Sequence, residues 1–564
     1  MPYTLPARTL RHLFLESTER YAALPALTRL GQEPLTYAEL GESVKSLSTW
    51  LTEQGVAFGD NVAILGENCP HWGIAYFAIT TMGAVAVPIL TEFHPDAIAH
   101  IIRHSAAKVV FVSEKLLPKI EQPKFNPAPL FVHLETFSPI EQSPPKDRLQ
   151  ELKEAGLREF RKLREKAMAH FSTPPQAPGE EDLAAIIYTS GTTGHSKGVM
   201  LTHRNIVSNV MMTRNLVELL PQECMISILP LAHTFECTLG LALPISQGMQ
   251  VVYLDKPPTP RVLLPALAQV KPQFMLAVPL VMEKMYKSSI LPKLTASPLL
   301  RFLYRIPFMR KFMNRSAGKK LREVFGGRLR VLAIGGAPLS YGTELFLHEA
   351  KFPYTIGYGL TETSPLLSGC LPERQRVTSA GKPVQDIRMR IANVKPETGE
   401  GEIQVQGPSI MRGYYKDPES TALTFDDGWL RTGDLGFMDK DGYVYVRGRS
   451  KNMILGPSGE NIYPEEVESL LMESPLVLEA LVYQSEGKVA AKVHLDAAKM
   501  DEAFGRISAL EMAEKRNALL QEIRETANLR VSSFAKIHKI LEQPEPFEKT
   551  PTHKIKRYLY VEPE

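Results

Sequence analysis

Short apolar runs alternate with segments of helical periodicity along the first part of the chain. Each run is four or five residues long and rich in valine or other large apolar residues, which favours a buried strand. Between two of them, Asp96–His104 carries isoleucines at helical spacing. Because strands that alternate with helices build parallel sheet layers covered by helices, the pattern predicts an α/β fold. The predicted strands are Val62–Leu65, Val85–Ile89, Val109–Val112 and Phe131–Leu134.

Toward its end the chain has the pattern of a second, smaller unit. Leu478–Tyr483 and Val489–Leu495 are apolar runs of strand length, and Leu510–Ala527 follows with helical periodicity. A chain of 564 residues also exceeds the size at which one hydrophobic core keeps growing. The sequence therefore predicts a large N-terminal body of layered mixed or parallel sheets with helices, and a small mobile α+β C-terminal domain.

One uncharged run, Trp72–Thr91, is long enough to suggest a membrane span. Gly83 and Pro88 interrupt it, and Met82–Ile89 has the character of a strand. We therefore interpret the run as a short helix followed by a strand in a soluble core. The first ten residues lack the pattern of a signal peptide.

The composition is that of a globular protein, with 44% hydrophobic and 23% charged residues. A net charge of +3 gives no reason to expect a nucleic-acid partner. The four cysteines are scattered without metal-ligand spacing, so we interpret them as reduced thiols of a cytoplasmic protein.

Two segments stand out by their charge. Arg148–Phe171 has a narrow apolar stripe among charged residues, and we interpret it as a solvated helical insertion. Leu299–Arg330 holds ten Lys or Arg residues and one acid, interleaved with aromatic and aliphatic residues. Two interpretations of this second segment stay open: a solvated helical hairpin, or a patch that rests on anionic lipid as a peripheral membrane contact.

The stretch Tyr188–Met200 concentrates glycines and hydroxyl residues around Lys197. Glycines let successive backbone N–H groups point at one anion, and the lysine adds positive charge, which suits a triphosphate. The P-loop signature is not met, because Ser196 precedes the lysine where glycine is required. An ordinary solvated loop is the alternative. Over its whole length the stretch resembles the phosphate loop of the adenylate-forming superfamily, which comprises acyl-CoA synthetases, luciferases and peptide-synthetase adenylation domains.

Further motifs of that superfamily follow in its order. Two glycine loops come directly after apolar runs, where ligands bind in open α/β sheets. The resemblance implies that these loops hold the nucleotide base, with Tyr358 stacking on it, and that Thr189 and Glu362 hold Mg²⁺. It also implies that the phosphate loop binds the β- and γ-phosphates of ATP. The implied phosphate-binding residues are Ser190, Gly191, Thr192, Thr193, Gly194 and Lys197. The implied base-binding residues are Gly335, Gly336, Ala337, Gly357, Gly359 and Thr361.

The closing third of the chain is similar to the mobile part of such enzymes. By this resemblance Asp434 and Arg449 bind the ribose, and Lys451 is the pivot of a hinge. The implied division is an ATP- and acyl-binding body at 1–447, a hinge at 448–453 and a lid domain at 454–564. Lys554 matches the lysine of the adenylation step, and Gly459 counts among the cofactor-binding residues. Asn452 departs from the acidic residue often found beside the pivot.

The Pro230-Leu231-Ala232-His233 string is similar to the pocket motif of long-chain acyl-CoA synthetases, which implies a catalytic-site role for His233. The expected function is therefore an ATP-, Mg²⁺- and CoA-dependent ligase of medium- or long-chain fatty acids. A synthetase that serves an acyl carrier protein and a ligase that stops at acyl-AMP stay open within enzymes. A catalytically silent module that binds acyl chains or nucleotide stays open outside them. Chain length and oligomeric state are not determined by the sequence.

Overall fold

The computed structural model describes residues 5–123, 125–140, 176–189, 196–455, 461–485, 487–505, 508–550 and 554–561. The predicted helix Arg148–Phe171 lies outside these ranges. Within them, no helix combines the length and the apolar character that a membrane span requires. The run Trp72–Thr91 instead contributes to helix Pro70–Thr81 and strand Val85–Ile89, both buried, as the sequence predicts. The strand begins after Gly83, whose φ of +86° turns the chain.

One seven-stranded sheet, called sheet I here, provides the edge from which two glycine loops leave. Its strands pair in parallel except for one antiparallel edge strand. Leu332 lies opposite Tyr354 in the last parallel pair, so the loops that follow these two strands emerge side by side. In spatial order the strands of sheet I are Tyr354–Ile356, Val331–Ile334, Phe274–Ala277, Cys224–Ser227, Gln250–Tyr253, Pro25–Arg29 and Leu35–Thr36.

A second seven-stranded sheet, sheet II, contains the four strands predicted for the first part of the chain. They pair in parallel, with Val62 opposite both Ala86 and Val109. Two of the four have the predicted bounds, Asn61–Leu65 begins one residue earlier than predicted, and Leu130–His133 is displaced by one residue at both ends. In spatial order the strands are Gly413–Tyr414, Lys197–Thr202, Leu183–Thr189, Val85–Ile89, Asn61–Leu65, Val109–Val112 and Leu130–His133.

The segment after the phosphate loop forms a strand and then a helix. Val199–Arg204 completes strand Lys197–Thr202 and leads into helix His203–Leu216. This strand pairs antiparallel with Leu183–Thr189, and four of its six residues are buried in sheet II. The helix then begins at a capping box, in which Thr202 Oγ1 accepts from the Asn205 N–H at 3.2 Å.

Two antiparallel sheets complete the body, and helices cover both large sheets. The smaller sheet has strands Tyr358–Gly359, Leu366–Gly369 and Lys382–Pro383. The larger has strands Arg388–Ala392, Gly401–Gln406, Phe425–Asp426, Trp429–Met438 and Val444–Arg449. The longer helices are Leu10–Arg20, Tyr37–Glu53, Pro70–Thr81, Pro95–Ser105, His203–Leu216, Pro260–Val270, Pro279–Met285, Pro298–Arg305, Pro307–Val324, Tyr341–Glu349 and Pro418–Thr424.

The C-terminal part has a hydrophobic cluster of its own, which begins at Ile454 and ends at Ile540. The clusters of the body include no residue beyond Val444. The predicted α+β character is confirmed; the exact boundaries at 447 and 454 and the mobility of the hinge stay predictions. The elements are strands Ile454–Leu455, Asn461–Ile462, Val477–Ser485, Lys488–Leu495 and Lys539–Glu542, and helices Pro464–Leu471, Ala497–Phe504 and Ala509–Asn528.

Candidate active site

The two glycine loops of sheet I meet around an aromatic ring. The Gly335 N–H donates to the Ala277 carbonyl at 3.1 Å, and the Gly357 N–H donates to the Ile334 carbonyl at 2.9 Å. A Cβ on Gly335 would lie 3.3 Å from the Phe235 ring and 3.4 Å from the Gly357 carbonyl oxygen. The backbone at this edge is therefore as closely packed as a surface for a flat ligand requires.

Neighbouring positions in these loops also restrict side chains. Gly336 has a φ of +87°, which L side chains rarely adopt, and both Gly336 and Ala337 are exposed. At Gly359 a Cβ would lie 1.8 Å from the Pro365 carbonyl oxygen, so no other residue fits without a backbone shift. Thr361 begins the short 3-10 turn that carries Glu362.

A buried carboxylate lies between a tyrosine and an arginine. Tyr358 donates its hydroxyl hydrogen bond to Asp434 Oδ2 at 2.8 Å, and Arg449 Nε lies 3.0 Å from Asp434 Oδ1. Asp434 and Arg449 are opposite each other on antiparallel strands, so the sheet register fixes their pairing. Burial raises the pKa of Asp434, while the Arg449 charge opposes that shift. An aspartate held in this way keeps its acceptor oxygens in one orientation.

A second carboxylate shares a tyrosine with the lysine of the phosphate loop. Tyr414 donates to Glu362 Oε1 at 2.9 Å, and Lys197 Nζ lies 5.0 Å from the centre of the Tyr414 ring. Lys197 also donates to Ser420 Oγ at 2.6 Å and lies 3.9 Å from Asp417 Oδ2. Burial and the Glu362 charge raise the pKa of Tyr414, so this hydroxyl stays a donor. Tyr414 thereby sets the distance between the carboxylate and the ammonium.

The part of the phosphate loop that the structure describes is its two ends. Thr189 closes one strand, half-buried, directly opposite Lys197 in the neighbouring strand. The predicted residues between them, Ser190, Gly191, Thr192, Thr193 and Gly194, lie outside the described residues, as does Gly459. The described ends converge on the same edge of the body as Tyr414, which pairs through Val199 in strand Lys197–Thr202.

The ammonium of Lys554 lies among these groups. Its pKa is lowered, first by the surrounding protein and then by the Arg449 charge, while Asp434, Glu362 and Glu465 oppose the shift. Lys554 is nevertheless exposed to solvent. The C-terminal lysine, the buried aspartate and the Glu362 carboxylate are therefore brought to one place from three distant parts of the chain.

Backbone contacts of its neighbours hold Lys554. Lys549 and Ile555 form an antiparallel bridge, and the Thr550 N–H donates to the Lys554 carbonyl at 2.7 Å. Three residues after Lys554, Arg557 pairs with the half-buried Glu468 and donates to the Val482 carbonyl at 2.9 Å. These contacts anchor the backbone around Lys554 to the C-terminal unit.

His233 lies on the same side as Lys554. Burial and the Lys554 charge lower the pKa of His233 to about 4, so the imidazole is neutral near pH 7. Its Nδ1 accepts from the Phe235 N–H at 3.2 Å, which fixes the ring and leaves Nε2 as the donor. Asn68 holds the preceding loop, because its Oδ1 accepts from the Leu231 N–H at 2.8 Å.

Three residues after His233 lies a carboxyl group, that of Glu236, which no pattern in the sequence singles out. Glu236 is fully buried, and neither of its carboxyl oxygens has a hydrogen-bond partner among the described residues. A Cβ on Gly240 would lie 2.6 Å from its carboxyl carbon, so the packing around it is close. Burial raises the pKa of Glu236 to about 8, which makes it a neutral acid at pH 7.

Besides Glu236, three residues of the site went unassigned in the sequence analysis: Tyr414, Glu465 and Asn68. Tyr414 belongs to none of the motifs, and Asn68 lies in the first part of the chain. Glu465 lies in the first turn of helix Pro464–Leu471, where an acidic residue is also favoured by the helix dipole. A tyrosine or an asparagine carries no periodic signal, so only contact could identify them.

The arrangement fits a magnesium ion better than a closed metal site. Magnesium prefers oxygen ligands and completes its shell with water and phosphate oxygens. In the described ranges no three His, Cys, Asp or Glu side chains are grouped as ligands of one metal ion. Glu362 is a half-buried carboxylate with one oxygen oriented by Tyr414, and Thr189 ends a strand of the same sheet as Tyr414. Such residues can complete the shell of an ion that a triphosphate brings, whereas zinc needs three or four protein ligands.

The sequence is similar to proteins of one family over most of its length. A model of the family described as AMP-binding enzyme matches residues 14–415. The long-chain-fatty-acid–CoA ligase FadD15 of Mycobacterium bovis is 30% identical over 570 residues, which cover 94% of this chain and 90% of that protein. Long chain acyl-CoA synthetase 6, peroxisomal, of Arabidopsis thaliana is 30% identical over 571 residues, which cover 93% of this chain and 79% of that protein.

The fold is similar to that of solved adenylate-forming ligases. The structure of o-succinylbenzoate CoA synthetase from Bacillus subtilis in complex with ATP and magnesium ion matches with a TM-score of 0.71 at 22% identity. The match covers 97% of this chain and 98% of that chain. At this identity the likeness concerns the fold, and it confirms the large N-terminal body with a small C-terminal domain.

Proposed function

Because the chain belongs to the AMP-binding enzyme family, we propose that it is an AMP-forming acyl-CoA synthetase of medium- or long-chain fatty acids. In the first step the fatty-acid carboxylate attacks the α-phosphorus of ATP and pyrophosphate leaves. In the second step the thiol of CoA attacks the acyl carbon, its proton is released, and AMP leaves. The observation that carries this proposal is that Lys554 lies near enough to Asp434, Arg449 and Glu362 for their charges to act on its pKa.

The first step brings two anions together. Two like charges about 4 Å apart repel by about 4 kcal/mol at an effective dielectric near 20, so a cation between them favours the reaction. Lys554 is the side chain proposed to bridge the carboxylate and the α-phosphate. Because catalysis of phosphoryl transfer is mostly positioning and charge stabilisation, no general base is needed.

The nucleotide is proposed to lie across the glycine loops. Asp434 would accept hydrogen bonds from the ribose hydroxyls, since Tyr358 and Arg449 already fix its two oxygens. Lys197 and the loop before it would hold the β- and γ-phosphates. Thr189 and Glu362 would hold the magnesium ion, which supplies positive charge to the phosphate oxygens when bound.

The acyl group is proposed to pass His233. As a neutral imidazole with Nε2 as donor, His233 can donate to a carboxylate or acyl oxygen without adding a competing charge. The long-chain names of the relatives support a long acyl substrate. Activation of an amino acid is disfavoured. Its amine would need a carboxylate in the acyl pocket, and the residue next to His233 is Thr234, a buried threonine.

The second step requires Lys554 to leave the cleft. It lies about a hundred residues beyond the hinge at 448–453, so the C-terminal unit must rotate as a body to withdraw it. We assign the pivot to Lys451, which lies in the single 3-10 turn Ser450–Asn452. CoA is the proposed acceptor, and an acyl carrier protein is the alternative. The four free thiols support a cytoplasmic location.

The decisive experiment is ATP–pyrophosphate exchange with a panel of carboxylic acids, repeated with CoA. Exchange that depends on a fatty acid, followed by thioester formation with CoA, is expected. Lys554→Ala should lower exchange by about 10²–10³, whereas Lys556→Ala should not, because Lys556 pairs with Glu548 at 3.2 Å. Absence of exchange with every acid would favour a catalytically silent binding module. Thioester formation on a holo-carrier protein but not on CoA would show that the carrier protein is the acceptor.

A further inference from the structure

The two helices Pro298–Arg305 and Pro307–Val324 present large apolar side chains to solvent. We call them the cationic helix pair, and a single residue, Ile306, joins them. Leu299 and Phe302 are three residues apart on the first helix, and Phe308 and Phe312 are four apart on the second, so each couple shares a helix face. The exposed fractions are 66% for Leu299, 62% for Phe302, 38% for Ile306, 77% for Phe308 and 66% for Phe312.

The exposure does not come from loose packing, because the inner side of the pair is firmly attached. Arg310 pairs with Glu349 at 2.8 Å, and Asn314 donates to the same carboxylate at 2.8 Å. Tyr304 in turn donates to Asn314 Oδ1 at 3.1 Å. A Cβ on Gly318 would lie 2.7 Å from the Ala350 Cβ, so the second helix lies directly on the body. The apolar side chains therefore point outward from an ordered scaffold.

Cations surround the exposed apolar residues. Six exposed Lys and Arg side chains of the pair form neither an ion pair nor a side-chain hydrogen bond within the described ranges, and the only acid of the pair is Glu323. An apolar patch with a basic rim is complementary to an anionic lipid surface, where apolar side chains enter the headgroup region and cations approach the phosphates. The six residues are Arg301, Arg305, Lys311, Arg315, Lys319 and Lys320.

A helical run lies between the glycine loops and the patch along the chain. Val278 follows a strand of sheet I, and its Cγ1 would lie 3.9 Å from a Cβ on Gly336. From Pro279 the chain stays helical to Leu294, which is about 24 Å. Three residues separate this run from the first helix of the pair, which begins at Pro298. The patch therefore follows, in the chain, a helical run that starts beside the glycine loops.

We propose that the cationic helix pair docks on an anionic lipid bilayer, from which the enzyme takes its fatty acid. The source of the acid rests on the function proposed above, whereas the docking itself does not. A bilayer is favoured over an acidic carrier protein because the five exposed side chains are aliphatic or phenylalanine. Helices that lie on a membrane surface have this composition, with Phe and Leu on the apolar face and Lys or Arg on the polar face.

The test is co-sedimentation of the full chain, without ATP, with vesicles of phosphatidylcholine alone or with 30 mol% phosphatidylglycerol added (about that fraction suffices for a strongly negative surface). Binding should require the anionic lipid and weaken with salt. Phe308→Ser with Phe312→Ser, and separately Arg301→Gln with Arg305→Gln, should each weaken binding about tenfold or more. The matched control is Leu15→Ser with Leu529→Ser, two side chains that are 50% and 87% exposed elsewhere.

Activity on a water-soluble acid such as octanoate separates docking from catalysis. All variants should keep it, whereas use of palmitate embedded in anionic vesicles should fall in the two patch variants only. Equal binding to both vesicle types, or equal binding of patch and control variants, would overturn the proposal. A dimer in sedimentation velocity that the Phe308→Ser, Phe312→Ser variant abolishes would assign the patch to a second copy. Binding of an acidic holo-carrier in place of vesicles would likewise overturn it.

Discussion

Asn452 Nδ2 donates a hydrogen bond to Glu465 Oε1 at 2.6 Å. The asparagine lies in the predicted hinge, and the glutamate begins the first helix of the C-terminal unit. The charge of the same carboxylate opposes the lowering of the Lys554 pKa, and a Cβ on Gly448 would lie 2.7 Å from its other oxygen. This contact explains why position 452 is an asparagine. The neutral amide can donate a hydrogen bond to the Glu465 carboxylate, whereas the carboxylate of an aspartate would repel Glu465.

We predict that Glu465→Gln shifts the pH dependence of the adenylation step. The Glu465 charge favours protonated Lys554, so its removal lowers the pKa of that lysine. The alkaline limb of ATP–pyrophosphate exchange should therefore move to lower pH, with a smaller effect at pH 6. Glu466→Gln is the control, because Glu466 pairs with Arg447 at 2.9 Å. An unshifted alkaline limb in Glu465→Gln would show that this carboxylate does not act on Lys554.

We predict graded losses of nucleotide affinity at the Asp434 pair. Asp434→Asn removes a charged acceptor and should weaken ATP binding by about 10–100-fold, since hydrogen bonds to charged groups contribute about 1.5–3 kcal/mol. Tyr358→Phe removes one orienting hydrogen bond and should weaken it only about threefold to tenfold. Isothermal titration with ATP measures both. An Asp434→Asn variant with unchanged affinity would remove Asp434 from the ribose site.

We predict that Lys451→Pro spares adenylation and impairs thioester formation. Residues of a 3-10 turn have a φ near that of proline, and proline is tolerated in a first turn, so the conformation described here can form. Rotation about the pivot needs a different φ, which proline forbids. ATP–pyrophosphate exchange should stay within about threefold, while CoA-dependent release of a preformed acyl-AMP should fall about a hundredfold or more.

The control for this hinge variant is Lys451→Ala, which keeps both dihedral angles free. It should lose little in either half-reaction. Equal losses of the two half-reactions in Lys451→Pro would place the pivot at another residue of the hinge.

We predict a pH-dependent stability difference at Glu236. The folded protein holds the Glu236 proton up to a pKa of about 8, whereas the unfolded carboxyl titrates near 4.5. Between these two pKa values the folded state binds one proton more than the unfolded state does. The free energy of unfolding therefore falls as the pH rises from 4.5 to 8. Glu236→Gln stays neutral and lacks this loss. Its stability relative to wild type should therefore rise between pH 4.5 and 8, by on the order of a few kcal/mol.

Thermal unfolding midpoints at pH 5.5 and 8.5 measure this difference. Glu397→Gln, an exposed acid on the same body, serves as the control and should show no pH-dependent change. A parallel pH dependence in wild type and Glu236→Gln would mean that the Glu236 carboxyl is hydrated and titrates normally.

Much of the fold could be predicted because its strands are short, apolar and separated by helices. The parallel strands of sheet II had nearly their observed bounds, and the glycine loops followed strands as expected. The strand Lys197–Thr202 was missed, because a glycine and a lysine at its start have the character of a loop. It forms because Leu183–Thr189 offers an unpaired edge. The pattern of neighbouring residues contains no information about which strand edges are unpaired.

What the sequence determined by itself is the order of motifs and the periodicity that folds each element, since both depend on residues close together in the chain. It also determined the chemical types at the site: one lysine near the end, glycines at strand ends and isolated carboxylates. Only the tertiary structure decided that Lys554 meets Asp434 and that Tyr414 joins Glu362 to Lys197. These pairs are separated by tens to hundreds of residues, and their free energy depends on distance and burial, which exist only when the sheets and the C-terminal unit are packed.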